Sequence, residues 1–161
     1  MCRRPVSGSR CTHSGRLESG LTKRWGEYET CAMLQTGILN PQLLELLARI
    51  RHTNTLVIAD WAFPYWPEIE TVDISLTKGI PTVLDVLDLL TPIFKIGRIW
   101  QADEFVTTNT PETVERFAKS FGKIPLTREA HVDFKKRVPH AIGLIRTGDP
   151  TAYGNMIIES E

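Results

Sequence analysis

The side chains of this chain best suited to chemistry are His52, Asp60, His131, Lys135 and the triplet Tyr153-Gly154-Asn155. His52 and Asp60 stand eight positions apart and bracket Leu56-Val57-Ile58-Ala59, an apolar run with two β-branched members that reads as a buried strand. Ligand groups in open α/β sheets gather at the carboxyl ends of strands, and Asp60 sits where this strand runs out. His52 sits at the other end, where a helix hands over to the strand. At about 3.3 Å per residue, a strand of this length holds the two apart within one subunit, so a site using both needs a second copy of the chain. The same two residues also read as a surface histidine and a turn aspartate. His131 and Lys135, four positions apart, share one face of a short helix. That face also reads as a solvated basic one. Tyr153 and Asn155 offer a hydroxyl and an amide that both donate and accept, around a glycine that permits close backbone approach or an unusual φ.

This set suits hydroxyl-rich ligands and proton transfer. Histidine, with an ordinary pKa of about 6.5, can give or take a proton at neutral pH. Other chemistries lack their residues. The chain has no P-loop signature, no Gly-x-Gly-x-x-Gly, no His-Glu-x-x-His and no Gly-x-Ser-x-Gly. Its three cysteines, Cys2, Cys11 and Cys31, all precede Met33. They leave the rest without a thiol nucleophile or a disulfide framework. Cys11-x-His13 with Cys2 and Cys31 matches no compact zinc-ligand pair, so no metal site is expected.

The elements that must position these residues lie after Met33. A length of 161 residues suffices for one domain, and 42% apolar with 24% charged residues is the composition of a globular protein. A formal net charge of zero argues against a general nucleic-acid or anionic-membrane binder. No apolar run approaches the ~20 residues that span a bilayer, and a cytoplasmic location is the simplest reading. Residues 1–32 carry scattered Arg, Lys, Ser and Gly with few large apolar residues, so they are expected to form a disordered N-terminal extension. They lack the apolar core of a secretory signal, and Glu18, Glu27 and Glu29 speak against a transit peptide. The composition changes at Met33, taken here as the functional start.

Asn40-Pro41 predicts a helix start, and Leu43, Leu44, Leu46, Leu47 and Ile50 give it a broad apolar face. Trp61 to Pro67 holds two prolines and four aromatics in seven residues. It reads either as a stiff loop lining a pocket or as one packed on the core or on another subunit. Glu68–Leu76 alternates as a strand, Gly79-Ile80-Pro81 turns into a largely buried helix that Thr91-Pro92 ends, and Phe94–Ala102 alternates as a further strand. Thr110-Pro111-Glu112 starts a helix with Val114, Phe117, Ala118 and Phe121 inward and Gly122 as its cap. Ile124–Thr127 is a short strand. His131–Arg137 opens a polar helix with Val132, Phe134 and Val138 buried. Ala141–Ile145, free of charges, is expected to be central, and Met156-Ile157-Ile158 is the final strand. Helices alternating with apolar strands imply an α/β layered domain.

Five stretches carry a resemblance. They are Gly37–Pro41 with Arg51–Asp60; Leu76-Thr77-Lys78-Gly79-Ile80-Pro81; Ala130-His131-Val132-Asp133-Phe134-Lys135; Ile145-Arg146-Thr147-Gly148; and Tyr153-Gly154-Asn155-Met156-Ile157-Ile158. In this order and at this spacing they resemble the D-ribose pyranase and L-fucose mutarotase family over nearly all of residues 33–161. The resemblance implies a three-layer α/β/α single domain with a central mixed sheet, assembled as a ring-like homodecamer with sites between subunits. It implies a cofactor-independent isomerase that interconverts ring forms or anomers of a monosaccharide. Carried over by motif, His52 matches the catalytic proton donor. Asp60, His131, Tyr153, Gly154 and Asn155 match sugar-binding residues, and Lys135 is a looser match. Arg51 and Asn54 depart from the ribose branch. Phe63-Pro64 and Tyr153-Gly154-Asn155 are spelled as in the fucose branch, whereas the stretches at 76–81 and 130–135 lean towards ribose. D-ribose is the favoured sugar. An L-fucose-type mutarotase and a non-catalytic sugar-binding or regulatory protein are the alternatives.

Overall fold

The structure, a computed structural model, describes residues 37–161. The expectations for residues 1–32 and for the boundary at Met33 lie outside the described residues. Six strands form one sheet: β1 Thr55–Ala59, β2 Glu70–Asp73, β3 Ile96–Ala102, β4 Leu126–Glu129, β5 Gly143–Arg146 and β6 Met156–Ser160. Their order across the sheet is β2-β5-β1-β6-β3-β4. β1, β2 and β5 run parallel to one another, as do β3 and β4, and β6 lies antiparallel to both β1 and β3. Five strands therefore share one direction and β6 alone opposes them. The carboxyl ends of β1, β3, β4 and β5 consequently share an edge with the amino end of β6.

The helices are α1 Pro41–Ala48, α2 Val83–Leu90, α3 Glu104–Thr108, α4 Pro111–Phe121 and α5 His131–Arg137, the last continued by a 3-10 turn over Val138–His140. Local chemistry starts them where the sequence indicates. The Asn40 side chain accepts from the Leu43 N–H at 3.0 Å, and Pro41 occupies the first turn, where no donor is needed. Thr82 and Asp85 form a reciprocal capping box at α2. Thr110 caps α4, which ends at Gly122 with φ 56°.

Helices α1 to α4 cover one face of the sheet and α5 the other. The larger core joins Leu46, Leu87, Phe105 and Phe117 to Leu56, Ile58, Ile145 and Ile158 of the sheet. The smaller joins Phe134, Val138 and Phe63 to Val57, Trp100, Leu144 and Ile157 on the opposite face. The domain is thus a three-layer α/β/α fold around a mixed sheet, as expected. Strands β1, β5 and β6 are buried on both faces, which explains their continuous apolar runs.

Some details differ from the sequence reading. α3 goes unread in the sequence; with five residues it is too short to show a period. Val132 is exposed rather than buried, because α5 turns only Phe134 into the core. Ala118 is likewise exposed, so α4 packs through Phe117 and Phe121. The fourth strand begins at Leu126 rather than Ile124, which packs at the core margin.

Phe117 is wholly buried between Phe105 (ring centroids 4.6 Å apart) and Phe121 (6.0 Å, edge-on). Phe117→Ala should cost about 3–5 kcal/mol of stability in urea unfolding. A loss below about 1 kcal/mol would contradict this packing.

Candidate active site

Asp60 follows β1 at the shared edge, and Asn155 precedes β6 there. They bind each other reciprocally across the two antiparallel strands. The Asp60 N–H donates to Asn155 Oδ1 at 2.7 Å, and Asn155 Nδ2 donates to Asp60 Oδ2 at 2.9 Å. The Ala62 N–H donates to the other carboxylate oxygen at 2.9 Å. Both side chains are buried. Burial pushes the Asp60 carboxyl above the usual range, against the three bonds from Asn155, Ala62 and Phe63, and the neighbouring Asp149 carboxylate pushes the same way.

His131 enters the same edge at the first position of α5. Its ring stacks on Phe134 (centroids 6.0 Å, 11° between planes) and meets Tyr153 edge-on (5.0 Å, 85°). Its Nδ1 is buried without a hydrogen-bond partner among the described residues. Burial, helped by Lys135, lowers its pKa from the ordinary value, while Glu104 and Asp60 oppose the shift. A carboxyl pushed up and an imidazole pushed down thus stand in one site.

Asp60, Ala62, Phe63, Pro64, His131, Lys135, Ala152, Tyr153 and Asn155 line one open cavity of about 260 Å³. This lies just under the roughly 300–1,000 Å³ of pockets for drug-sized ligands, so the cavity fits a smaller molecule. Of the two readings of the Trp61–Pro67 loop, its first half lines a pocket, while Phe63 also packs on the core. Gly154 is buried behind the pocket wall. A Cβ there would stand 3.1 Å from the Thr151 carbonyl oxygen, so close approach is what favours glycine. The left-handed backbone falls instead on Tyr153, at φ 55°.

His52 is elsewhere. It is exposed at the opposite edge, in the turn before β1, where the Thr53 N–H donates to the Ser160 carbonyl. Thr53 in that turn has φ 65°. The five residues of β1, at about 3.3 Å each, alone separate the two edges by on the order of 16 Å, with His52 beyond one end of the strand and Asp60 beyond the other.

Three supporting residues escaped the sequence reading. Asp149 is buried; it accepts from the N–H groups of Val83 and Thr151, and its carbonyl accepts from Trp61 N–H. Thr147 donates its hydroxyl to the Ala59 carbonyl at 2.8 Å. Arg146 reaches the Phe63 carbonyl and Asp73. The rule that singled out Asp60, a polar residue just beyond a buried strand, applies equally to Thr147 and Asp149. Glu104 left no signal, because its helix left none.

A family model described as the RbsD / FucU transport protein family matches residues 33–161. The chain belongs to this family. A D-ribose pyranase from Geobacillus kaustophilus is 39% identical over 128 residues, covering 80% of this chain and 93% of that protein. The D-ribose pyranase of Staphylococcus haemolyticus is 34% identical, covering 80% and 97%. Among solved structures, Bacillus subtilis RbsD complexed with D-ribose superposes with a TM-score of 0.74 at 30% identity, covering 80% of this chain and 97% of that one. A fucose mutarotase from Streptococcus pneumoniae, solved with L-fucose, shares the fold at a TM-score of 0.60 and 20% identity, covering 75% and 91%. Among the described residues no helix is long and apolar enough to cross a membrane.

Two outcomes follow from this geometry. Asn155→Ala leaves a buried N–H and a buried carboxylate oxygen of Asp60 without their partner, and should cost about 1–3 kcal/mol. A urea midpoint unchanged from the parent protein would refute the reciprocal pair. The His131 ring should titrate by NMR below the ordinary 6.5. Because its folded pKa is depressed, its contribution to stability is present above 6.5 and is lost as pH falls through the folded value. A midpoint at or above 6.5 would show that the ring is not desolvated.

Proposed function

We propose that this chain is a cofactor-independent sugar isomerase that interconverts the pyranose and furanose forms of a monosaccharide, D-ribose before other sugars. The pocket lined by Asp60, His131, Lys135, Tyr153 and Asn155 carries the reading, in a chain 39% identical to a D-ribose pyranase. Asp60 and Asn155 offer fixed acceptors and a donor to sugar hydroxyls. His131, held largely neutral at pH 7 by its lowered pKa, adds a group that donates and accepts. Tyr153 supplies a further hydroxyl, Lys135 an ammonium, and Gly154 the close approach of the chain to Thr151 behind them.

The reaction balances with protons alone. The ring oxygen takes a proton, the bond between it and the anomeric carbon breaks, and the anomeric hydroxyl gives up a proton to leave an aldehyde. A different hydroxyl then adds to that aldehyde. Substrate and product are isomers, so no oxidant or group donor enters. In this reading His52 of a neighbouring copy delivers the proton to the ring oxygen. Its exposure, and its place at the opposite end of β1 from Asp60 within one chain, support a site completed by a second subunit. The assembly is a homo-oligomer, a decamer in this reading, and the protein works in the cytoplasm. In this reading no metal takes part. A 6-deoxyhexose such as L-fucose is the second reading. The apolar wall of Ala62, Phe63 and Pro64 favours it, because that wall suits a methyl group.

Saturation-transfer NMR on a sugar panel separates the readings by showing which sugar's ring forms exchange faster. Binding without faster exchange would leave only a sugar-binding protein. His52→Ala should lower exchange by about 10²–10⁴-fold with little change in affinity, since a proton donor acts mainly in the transition state. Asp60→Ala should weaken binding first. If His52→Ala keeps the parent rate while His131→Ala loses it, the proton donor is His131. Light scattering should show a high-order oligomer; a fully active monomer would sink the shared site.

A further inference from the structure

We propose that Glu104 and Asn109, at the two ends of helix α3, are positioning residues that fix how His131 and Tyr153 face each other across the pocket. The inference rests on the sugar-site reading above. Both carboxylate oxygens of Glu104 accept from the His131 N–H, at 3.1 and 3.0 Å. Ala130, the residue before α5, makes no side-chain cap bond, so Glu104 supplies from α3 the cap that α5 lacks. At the other end the Asn109 amide donates to the Ala152 carbonyl at 2.8 Å and to the Phe105 carbonyl at 2.9 Å. Ala152 immediately precedes Tyr153, whose left-handed backbone needs support from outside. Phe105, wholly buried between these ends, anchors α3 to the core. The Asp103 N–H ties the helix start to the Glu129 carbonyl at the end of β4. One short helix thus grips the backbone beneath both rings, and those rings touch at 5.0 Å.

A cap that merely stabilises α5 would lower thermal stability and leave the site alone. A brace changes the site. The charged groups bearing on the His131 ring are Lys135, Glu104 and Asp60; Glu104 holds its pKa up against burial and Lys135. In the full-length chain without sugar, the His131 ring resonances of Glu104→Gln should therefore titrate at lower pH than in the parent. In titrations with D-ribose, Glu104→Ala and Asn109→Ala should each bind about tenfold more weakly, the size of about one lost hydrogen bond. Exchange at saturating sugar should change far less than affinity. Glu104→Gln keeps an oxygen that accepts from His131 N–H and should recover most of the affinity lost in Glu104→Ala. An unchanged His131 titration in Glu104→Gln overturns the brace. So does D-ribose affinity within about twofold of the parent in both alanine variants. If the parent binds no D-ribose, the sugar-site reading fails, and the His131 titration still decides whether α3 governs that ring.

Discussion

The reciprocal pair of Asp60 and Asn155 joins the end of β1 to the start of β6 with two buried hydrogen bonds across 95 positions of sequence. Because β6 alone runs against the other strands, its first residues emerge at the edge where the parallel strands end. The pair fixes that meeting point and orients both side chains at once. The pocket inherits its floor from it. Tyr153 and Gly154 precede Asn155 directly, and the Trp61–Pro64 segment leaves Asp60 through the bond to Ala62. Burying a carboxylate this deeply is costly unless it is hydrogen-bonded, and the bonds from Asn155 and Ala62 meet that condition.

The electrostatics of the site follow from depth more than from charge pairing. Desolvation is the leading influence on both Asp60 and His131, and it moves them in opposite directions because one is charged when deprotonated and the other when protonated. Proteins commonly sort acids from bases by separating two environments in this way. Here one water-poor edge does it for both groups, and the surrounding charges only adjust the result. The exposed ion pairs, such as Lys95 with Glu161 or Lys136 with Asp133, lie on the surface, where such pairs contribute little.

Much of this was legible in the sequence, for identifiable reasons. Helices α1 and α4 announce themselves through Asn40-Pro41 and Thr110-Pro111, whose caps satisfy orphan N–H groups locally, and α2 through the Gly79-Ile80-Pro81 turn before it. The central strands show as charge-free runs because both their faces are covered. Asp60 stood out by its place at a strand end, and the structure brings it together with His131, Lys135, Tyr153 and Asn155. What escaped is tertiary in origin. α3 is held by contacts at its ends rather than by periodicity. Val132 looked buried from its type, but the axis of α5 decides its exposure. Of the two reasons the sequence offered for Gly154, close approach and an unusual φ, the fold shows the first there and places the left-handed backbone one residue earlier.

The strand order also bears on how the chain reaches this state. β5 and β6 come last in sequence, and every pairing made by β1 or β2 is with one of them. Of the first four strands only β3 and β4 can pair with each other. A chain growing from its amino end therefore holds β1 and β2 with unpaired backbone until residues after Gly143 have been made. Such non-local pairing folds slowly and exposes sticky edges meanwhile. The sheet therefore closes only once its last two strands are available, and the residues that close it are the same ones that bring Tyr153 and Asn155 to Asp60.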